Sequence, residues 1–224
     1  MAARIIMEEL ESRTLMSGTP VSPVLSTAVI ADHVQINADL LKFKSDCLSG
    51  YATLESDIAK IKTDDPKQAT TVTPLVKKLH ADISSMQLTL QQDRLEDKAN
   101  VLSDESQITR DLLQISKDKA NPTALAADRH TLRGDRVKLQ NDMIAGLNAR
   151  IATRQSGLTL VVADAQAVIA AVQTDPHATP ALIADLTKWT TDRTGLISTL
   201  TADLQKLVTD RTQLVTDLTV LQNA

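Results

Sequence analysis

Residues 180–222 read PALIADLTKWTTDRTGLISTLTADLQKLVTDRTQLVTDLTVLQ. Leu182, Leu186, Trp189, Arg193, Ile197, Leu200, Leu204, Leu207, Arg211, Leu214, Leu218 and Leu221 advance in steps of four and three, with one additional step of four after Arg193. Their mean spacing is about 3.5 residues, the period of a helix that packs on its neighbours at a left-handed angle of about 20°. One apolar stripe along so long a helix needs partners of similar length.

The rest of the chain supplies them. Val29, His33, Ile36, Leu40, Phe43, Cys47, Tyr51, Leu54, Ile58 and Ile61 form a second stripe, and Leu75, Leu79, Ile83, Met86, Leu90, Val101, Ile108, Leu112 and Ile115 a third. The fourth runs through Leu125, Leu132, Leu139, Met143, Leu147, Leu158, Val161, Val168 and Val172. Between the stripes lie proline-bearing turns: Asp65-Pro66 with Thr73-Pro74, Asn121-Pro122, and Asp175-Pro176 with Thr179-Pro180. Thr73, Asn121 and Thr179 each offer a capping side chain before a proline at the first helical position, where its missing N–H costs nothing. Short connections force sequence neighbours to run antiparallel and close their stripes into one core. The fold class expected is therefore all-α: an elongated antiparallel four-helix bundle of long, coiled-coil-like helices, at about 26–62, 74–118, 122–173 and 180–222. Residues 24–224 are expected to form the bundle and residues 1–23 a separate segment.

Composition agrees. The chain is 42% hydrophobic but 1% aromatic, so its core must come from Leu, Ile, Val and Ala, which suit narrow helix seams. A net charge of -4, with both signs interspersed, offers no basic surface for a phosphate backbone, and nucleic acid is excluded as a partner. The single cysteine, Cys47, rules out an internal disulfide and reads as a buried thiol on the first stripe. No transmembrane span is expected: the nearest candidate, Gly157 to Val172, carries Asp164 and Gln166 in its middle.

Chemistry-bearing motifs are missing. No Glu-x-x-His occurs, so the di-metal carboxylate bundle is excluded, and His33, His80, His130 and His177 have no histidine or cysteine at ligand spacing. The six glycines stand alone, without the clustering of a phosphate-binding loop or a nucleophile elbow. The expectation is of no catalytic residue, no metal and no cofactor: the chain is not read as an enzyme. The repeated Thr191-Asp192-Arg193-Thr194 and Thr209-Asp210-Arg211-Thr212 lie eighteen residues apart and face the same way, as a recognition surface or as drift on a solvated helix. Counting outward from the turns puts Asp39, Arg94 with Asp97, Met143 with Gly146, and Arg211 near one level. A partly buried ionic layer of Arg94, Asp97 and Arg211 is one expectation there, and side chains that snorkel to water the other.

Residues 1–23 differ from the remainder in being rich in Met and lacking a sustained period. Within them the run from Met7 to Gly18 carries Leu10, Glu11, Arg13, Leu15 and Ser17, and it resembles the LEPR-XLL-type N-terminal motif of exported and surface proteins of planctomycete-type bacteria. Ser12 stands where that motif has proline and Met16 where it has leucine. The resemblance covers a dozen residues. It implies an extracytoplasmic or cell-surface location, against the alternative of a cytoplasmic one, and implies nothing about the bundle. The functional expectation is a non-enzymatic exported bundle that acts as a structural or protein-interaction element at the cell envelope, with protein partners, a second copy included. The alternative is a bundle that binds lipid surfaces reversibly through its amphipathic helices.

Overall fold

The computed structural model describes residues 23–64 and 73–223, all but the turns between elements being helical. Four helices follow in order: α1 (Pro23–Asp64), α2 (Thr73–Lys117), α3 (Pro122–Gln173) and α4 (Pro180–Asn223). The chain is an all-α bundle, and among the described residues there is no strand. The LEPR-XLL-like run and the Asp65-Pro66 turn lie outside the described residues.

The helix boundaries have the chemistry that the turns announce. At the start of α3 the Asn121 side chain accepts a hydrogen bond from the Ala124 N–H at 3.2 Å, and at the start of α4 the Thr179 hydroxyl accepts one from Leu182 at 3.1 Å. Each satisfies a donor that the first helical turn leaves without a partner. Between α3 and α4 the carboxylate of Asp175 takes the N–H of His177, an Asx turn at 2.9 Å. Threonine is a mediocre helix former, yet α4 is rich in it. The hydroxyls of Thr187, Thr190, Thr191, Thr194, Thr209, Thr216 and Thr219 all donate to the carbonyl four residues back, so none of these seven is left to draw the backbone into another conformation.

The helices divide into two compact units. The first takes α1 up to Ile36, α2 from Leu102, α3 as far as Asn141 and α4 from Asp210. Its buried apolar residues are Val29, Ile36, Ile108, Ile115, Leu132, Leu139, Leu214, Leu218 and Leu221. The second takes residues 37–101 and 142–209. In its core Leu54, Leu79, Val161, Ala165, Val168, Val172, Leu182 and Trp189 cluster, with Ile61, Ile83 and Leu186 against them. Within the second unit α1 runs antiparallel to α4, as Lys42 meets Asp203 and Asp57 meets Lys188; α2 runs antiparallel to α3, as Lys78 meets Asp164 and Asp97 meets Arg150.

Eleven of the twelve stripe positions of α4 are buried, and Leu186 is half-buried. The stripe of α1 needs correction: Tyr51 and Ile58 are 46% and 40% exposed. The inward positions belong to their neighbours. Gly50 lets α4 so close that a Cβ there would lie 2.2 Å from Leu196 Cδ1, and Asp57, 2% exposed, turns in toward Lys188. One residue further along a helix is about 100° round it. One 18-residue window of α3 is apolar enough to cross a bilayer by length and composition, which the sequence reading did not expect; the Asp164 in this helix is paired with Lys78.

Candidate functional site

In the second unit α1, α2 and α3 bring together Phe43, Cys47, Asp97, Arg150 and Arg154, of which Arg154 is buried and the others half-buried. Arg154 is 4% exposed, and its guanidinium sits 5.6 Å from the centre of the Phe43 ring. A cation over an aromatic face gains from the ring quadrupole, more so out of water. Arg150 donates to Asp97 at 2.9 Å and to the Gly146 carbonyl at 3.1 Å. Asp97 in turn presses on Gly146, where a Cβ would lie 2.4 Å from its Oδ1. Burial lowers the pKa of both arginines, with Asp97 opposing the shift at Arg150. Burial also pushes the Cys47 thiol up, against the nearby Arg154 and Arg94. That is the setting of an inert thiol rather than a nucleophile.

Asp97 therefore has a charged partner, but a different one from that expected. Its cation is Arg150; Arg94 is exposed; and Arg211, 8% exposed, belongs to the first unit and donates to Gln140 at 2.5 Å. Of the expected layer, Asp97 and Arg211 each take a partner from α3, Arg150 and Gln140, which the sequence reading did not name. Arg193 and Arg211, the arginines of the two repeated Thr-Asp-Arg-Thr phrases, are each 8% exposed, so the phrases do not present them outward. His80, His130 and His177 are exposed and His33 half-buried.

A second arrangement went unread in the sequence. Starting from Asp32 and stepping along α1 by seven, seven, eleven and seven residues gives Asp39, Asp46, Asp57 and Asp64; stepping back along α4 from Asp217 by the same intervals gives Asp210, Asp203, Asp192 and Asp185. On α2, Asp82, Asp93, Asp104, Asp111 and Asp118 follow at eleven, eleven, seven and seven, and backwards on α3 the same steps give Asp164, Thr153, Asp142, Asp135 and Asp128. Antiparallel helices with matching intervals bring like positions to one level. Within the units aspartates accordingly face aspartates: Asp32 and Asp217, Asp111 and Asp135, and Asp118 and Asp128 in the first, and Asp46 and Asp203, Asp57 and Asp192, and Asp82 and Asp164 in the second.

Lysines resolve the three encounters of the second unit. Lys42 reaches Asp46, four residues on, at 2.6 Å and Asp203 across the seam at 2.5 Å. Lys188 does the same for Asp192 and Asp57 at 2.5 and 2.7 Å, and Lys78 for Asp82 and Asp164 at 2.9 and 2.5 Å. Lys206 pairs with Asp39, and in the first unit Lys138 pairs with Asp104. Asp39, Asp57, Asp104, Asp164 and Asp203 are all buried. The lysine holds Asp46, Asp82 and Asp192 below the ordinary carboxylate range by its hydrogen bond. Thr153 breaks the pattern and donates to Asp93 at 2.8 Å. The signal in the sequence was a phrase, Ala-Asp-Leu-x-Lys-x-x-x-Asp, at Ala38–Asp46, Ala184–Asp192 and Ala202–Asp210.

For ligand chemistry the surface offers a shallow groove between α2 and α3 of about 160 Å³, lined by Asp82, Met86, Thr89, Thr153, Gly157 and Leu160 among others. Pockets that enclose a small molecule are roughly 300–1,000 Å³. Among the described residues no three His, Cys, Asp or Glu side chains converge as metal ligands. Compared with known proteins, the chain matches no protein family, no curated protein and no solved structure.

Proposed function

We propose that the chain is a non-enzymatic structural or protein-interaction element of the cell envelope, exported under the direction of its N-terminal segment. The observation that carries this reading is the commitment of the buried charges to neighbouring helices. Carboxylates at repeated levels, five of them tied by a lysine to the adjacent helix, hold long helices in fixed register and are not convergent on a substrate. What remains for recognition is apolar: of the twelve large hydrophobic side chains that are exposed among the described residues, ten lie on α1 and α2, with Val34, Leu41 and Leu48 on α1 and Leu88, Leu95 and Leu102 on α2 each at intervals of seven. Exposed leucines at heptad spacing are the kind of surface that takes another helix.

The envelope assignment rests on the resemblance of Met7 to Gly18 and on no contact in the bundle. It is tested by fractionating the native host and shaving intact cells with protease. The full chain should be in the envelope fraction and cleavable from outside, and a chain lacking residues 1–23 should be retained within the cell. A full-length chain protected inside intact cells refutes the export reading.

The same exposed leucines favour one alternative, reversible binding to a lipid surface. Co-flotation with anionic vesicles separates the two. Interfacial binders carry aromatic residues and basic flanks, and this chain has three aromatic residues. Flotation with vesicles would move the assignment to the lipid reading.

A further inference from the structure

Three of the facing carboxylate pairs have no lysine. In the first unit Asp32 faces Asp217, Asp111 faces Asp135, and Asp128 faces Asp118. At the position four residues before one aspartate, where the bridged pairs of the second unit carry Lys42, Lys78 or Lys188, these carry Gln213, Gln107 and Gln114. The glutamine amides donate to Asp217 at 3.2 Å, Asp111 at 2.9 Å and Asp118 at 2.6 Å. An amide donates as the ammonium does but carries no charge, so nothing offsets the second carboxylate. Oδ2 of Asp32, of Asp111 and of Asp128 is buried and accepts no hydrogen bond. In the bridged pairs a similar buried oxygen is left, but the other oxygen of that carboxylate takes the ammonium. A proton held between the two carboxyls supplies the missing donor and removes the repulsion in one step.

We propose that these three glutamine-flanked aspartate pairs are proton clasps: each binds one proton between α1 and α4 or between α2 and α3, so that the first unit is held more tightly in mildly acid solution than at neutrality. The lysine-bridged pairs of the second unit have the opposite preference.

The surrounding charges fit this. Asp210 of α4 adds to the repulsion at Asp32, whose carboxyl is pushed up to about 6 by burial first and then by Asp217. At Asp111 burial and Asp135 raise the value against Gln107 and Arg110, and at Asp128 burial and Asp118 raise it. Of the other cations, Arg133 donates to the Leu221 carbonyl and Arg211 to Gln140, Arg129 and Arg136 are engaged too, and Lys117 and Lys119 beside Asp118 are exposed. His33 adjoins Asp32 and is itself partnered, and His130 lies against Gln222. A carboxyl whose folded pKa exceeds its unfolded value binds more protons folded than unfolded between the two. Its contribution is therefore complete below the unfolded value of 3.8 and is lost as pH rises through about 6. In the bridged pairs Asp46, Asp82 and Asp192 are depressed, and their contribution is present at neutrality and lost on acidification.

The test follows the aspartate carboxyl carbons of the full chain by NMR through a pH titration, a signal that the histidines do not contribute. Asp32 should titrate near 6 in the natural sequence, and Gln213→Lys, which installs the bridge of the second unit, should bring that midpoint down to the ordinary carboxylate range or below. The natural chain should fall in melting temperature between about pH 4 and 7, and the combined Gln107→Lys, Gln114→Lys, Gln213→Lys variant should lose that fall. A midpoint at the ordinary value in the natural chain, or one that Gln213→Lys leaves near 6, overturns the proposal. Should the triple variant not fold, Lys188→Gln provides the reverse test. It should raise the titration of Asp192, which the ammonium holds down in the natural chain, and an unchanged Asp192 would also overturn the reasoning.

Discussion

Two glycines within the helices of the second unit should respond differently to the same substitution. Gly195 of α4 has nothing within 4 Å of where a Cβ would sit, whereas at Gly157 of α3 a Cβ would lie 2.3 Å from Met86 Sδ and 2.5 Å from its Cγ. Alanine in place of a helical glycine gains about 1 kcal/mol of backbone propensity. At Gly195 that gain is unopposed. At Gly157 the methyl must displace the middle of a side chain that is itself 8% exposed, and overpacking of this kind costs about 1–3 kcal/mol. Gly195→Ala should therefore stabilise by about 1 kcal/mol. Gly157→Ala should be neutral to about 2 kcal/mol destabilising, the same gain set against the overpacking cost. Urea midpoints at constant m read both. Met86→Ala alone should cost about 2–5 kcal/mol, the loss of a buried methionine. Added to Gly157→Ala it should cost less than the separate effects together, since the second change removes the clash caused by the first. If Gly157→Ala stabilises as much as Gly195→Ala, the close approach of α2 to α3 at this level is wrong.

Asp97→Ala leaves Arg150 without its carboxylate and should destabilise by about 1–3 kcal/mol, whereas Arg94→Leu, on an exposed side chain, should stay within about 0.5 kcal/mol; denaturant melts compare them directly. Thr179→Ala removes the cap of α4 and should cost about 1 kcal/mol by the same assay, with Thr179→Ser restoring most of it. Cys47 should react with a disulfide reagent far more slowly in the folded chain than in urea, because burial raises its pKa and restricts access; equal rates would contradict its placement.

The sequence made the helices plain because each of their signals has a local cause. A proline at the first helical position and a capping Asn121 or Thr179 act within one turn, and the α4 stripe from Leu182 to Leu221 has no competing reading. What escaped was decided between helices. Asp39 and Asp57 are turned inward because a lysine on α4 waits for each, and no hydropathy pattern on α1 alone marks an aspartate as buried. Tyr51 and Ile58 were misplaced for the same reason, since the inward positions went to Gly50 and Asp57. Arg211 sits on the stripe as expected, but its partner depends on how far Gln140 reaches from α3. The ladder itself was readable as matching intervals of seven and eleven, a signal in polar residues where the search for a core looks at apolar ones.

Those intervals also bear on how such helices can be lengthened. A step of seven residues spans two turns at 3.5 each and a step of eleven spans three at about 3.67, so a mixture of the two averages close to the 3.6 of an unstrained helix. A ladder built that way stays in line on a straight helix and asks for little winding of one helix about another. Seven plus eleven makes the eighteen residues, five whole turns, that separate Ala184–Asp192 from Ala202–Asp210 on α4 and Asp39 from Asp57 on α1. Insertion of one such block into α1 and one into α4 at the same level would return every lysine to its pair of carboxylates. The molecule thus has a natural quantum of growth, about 27 Å per block at 1.5 Å per residue, and a ruler of this kind can be lengthened by duplication without being redesigned.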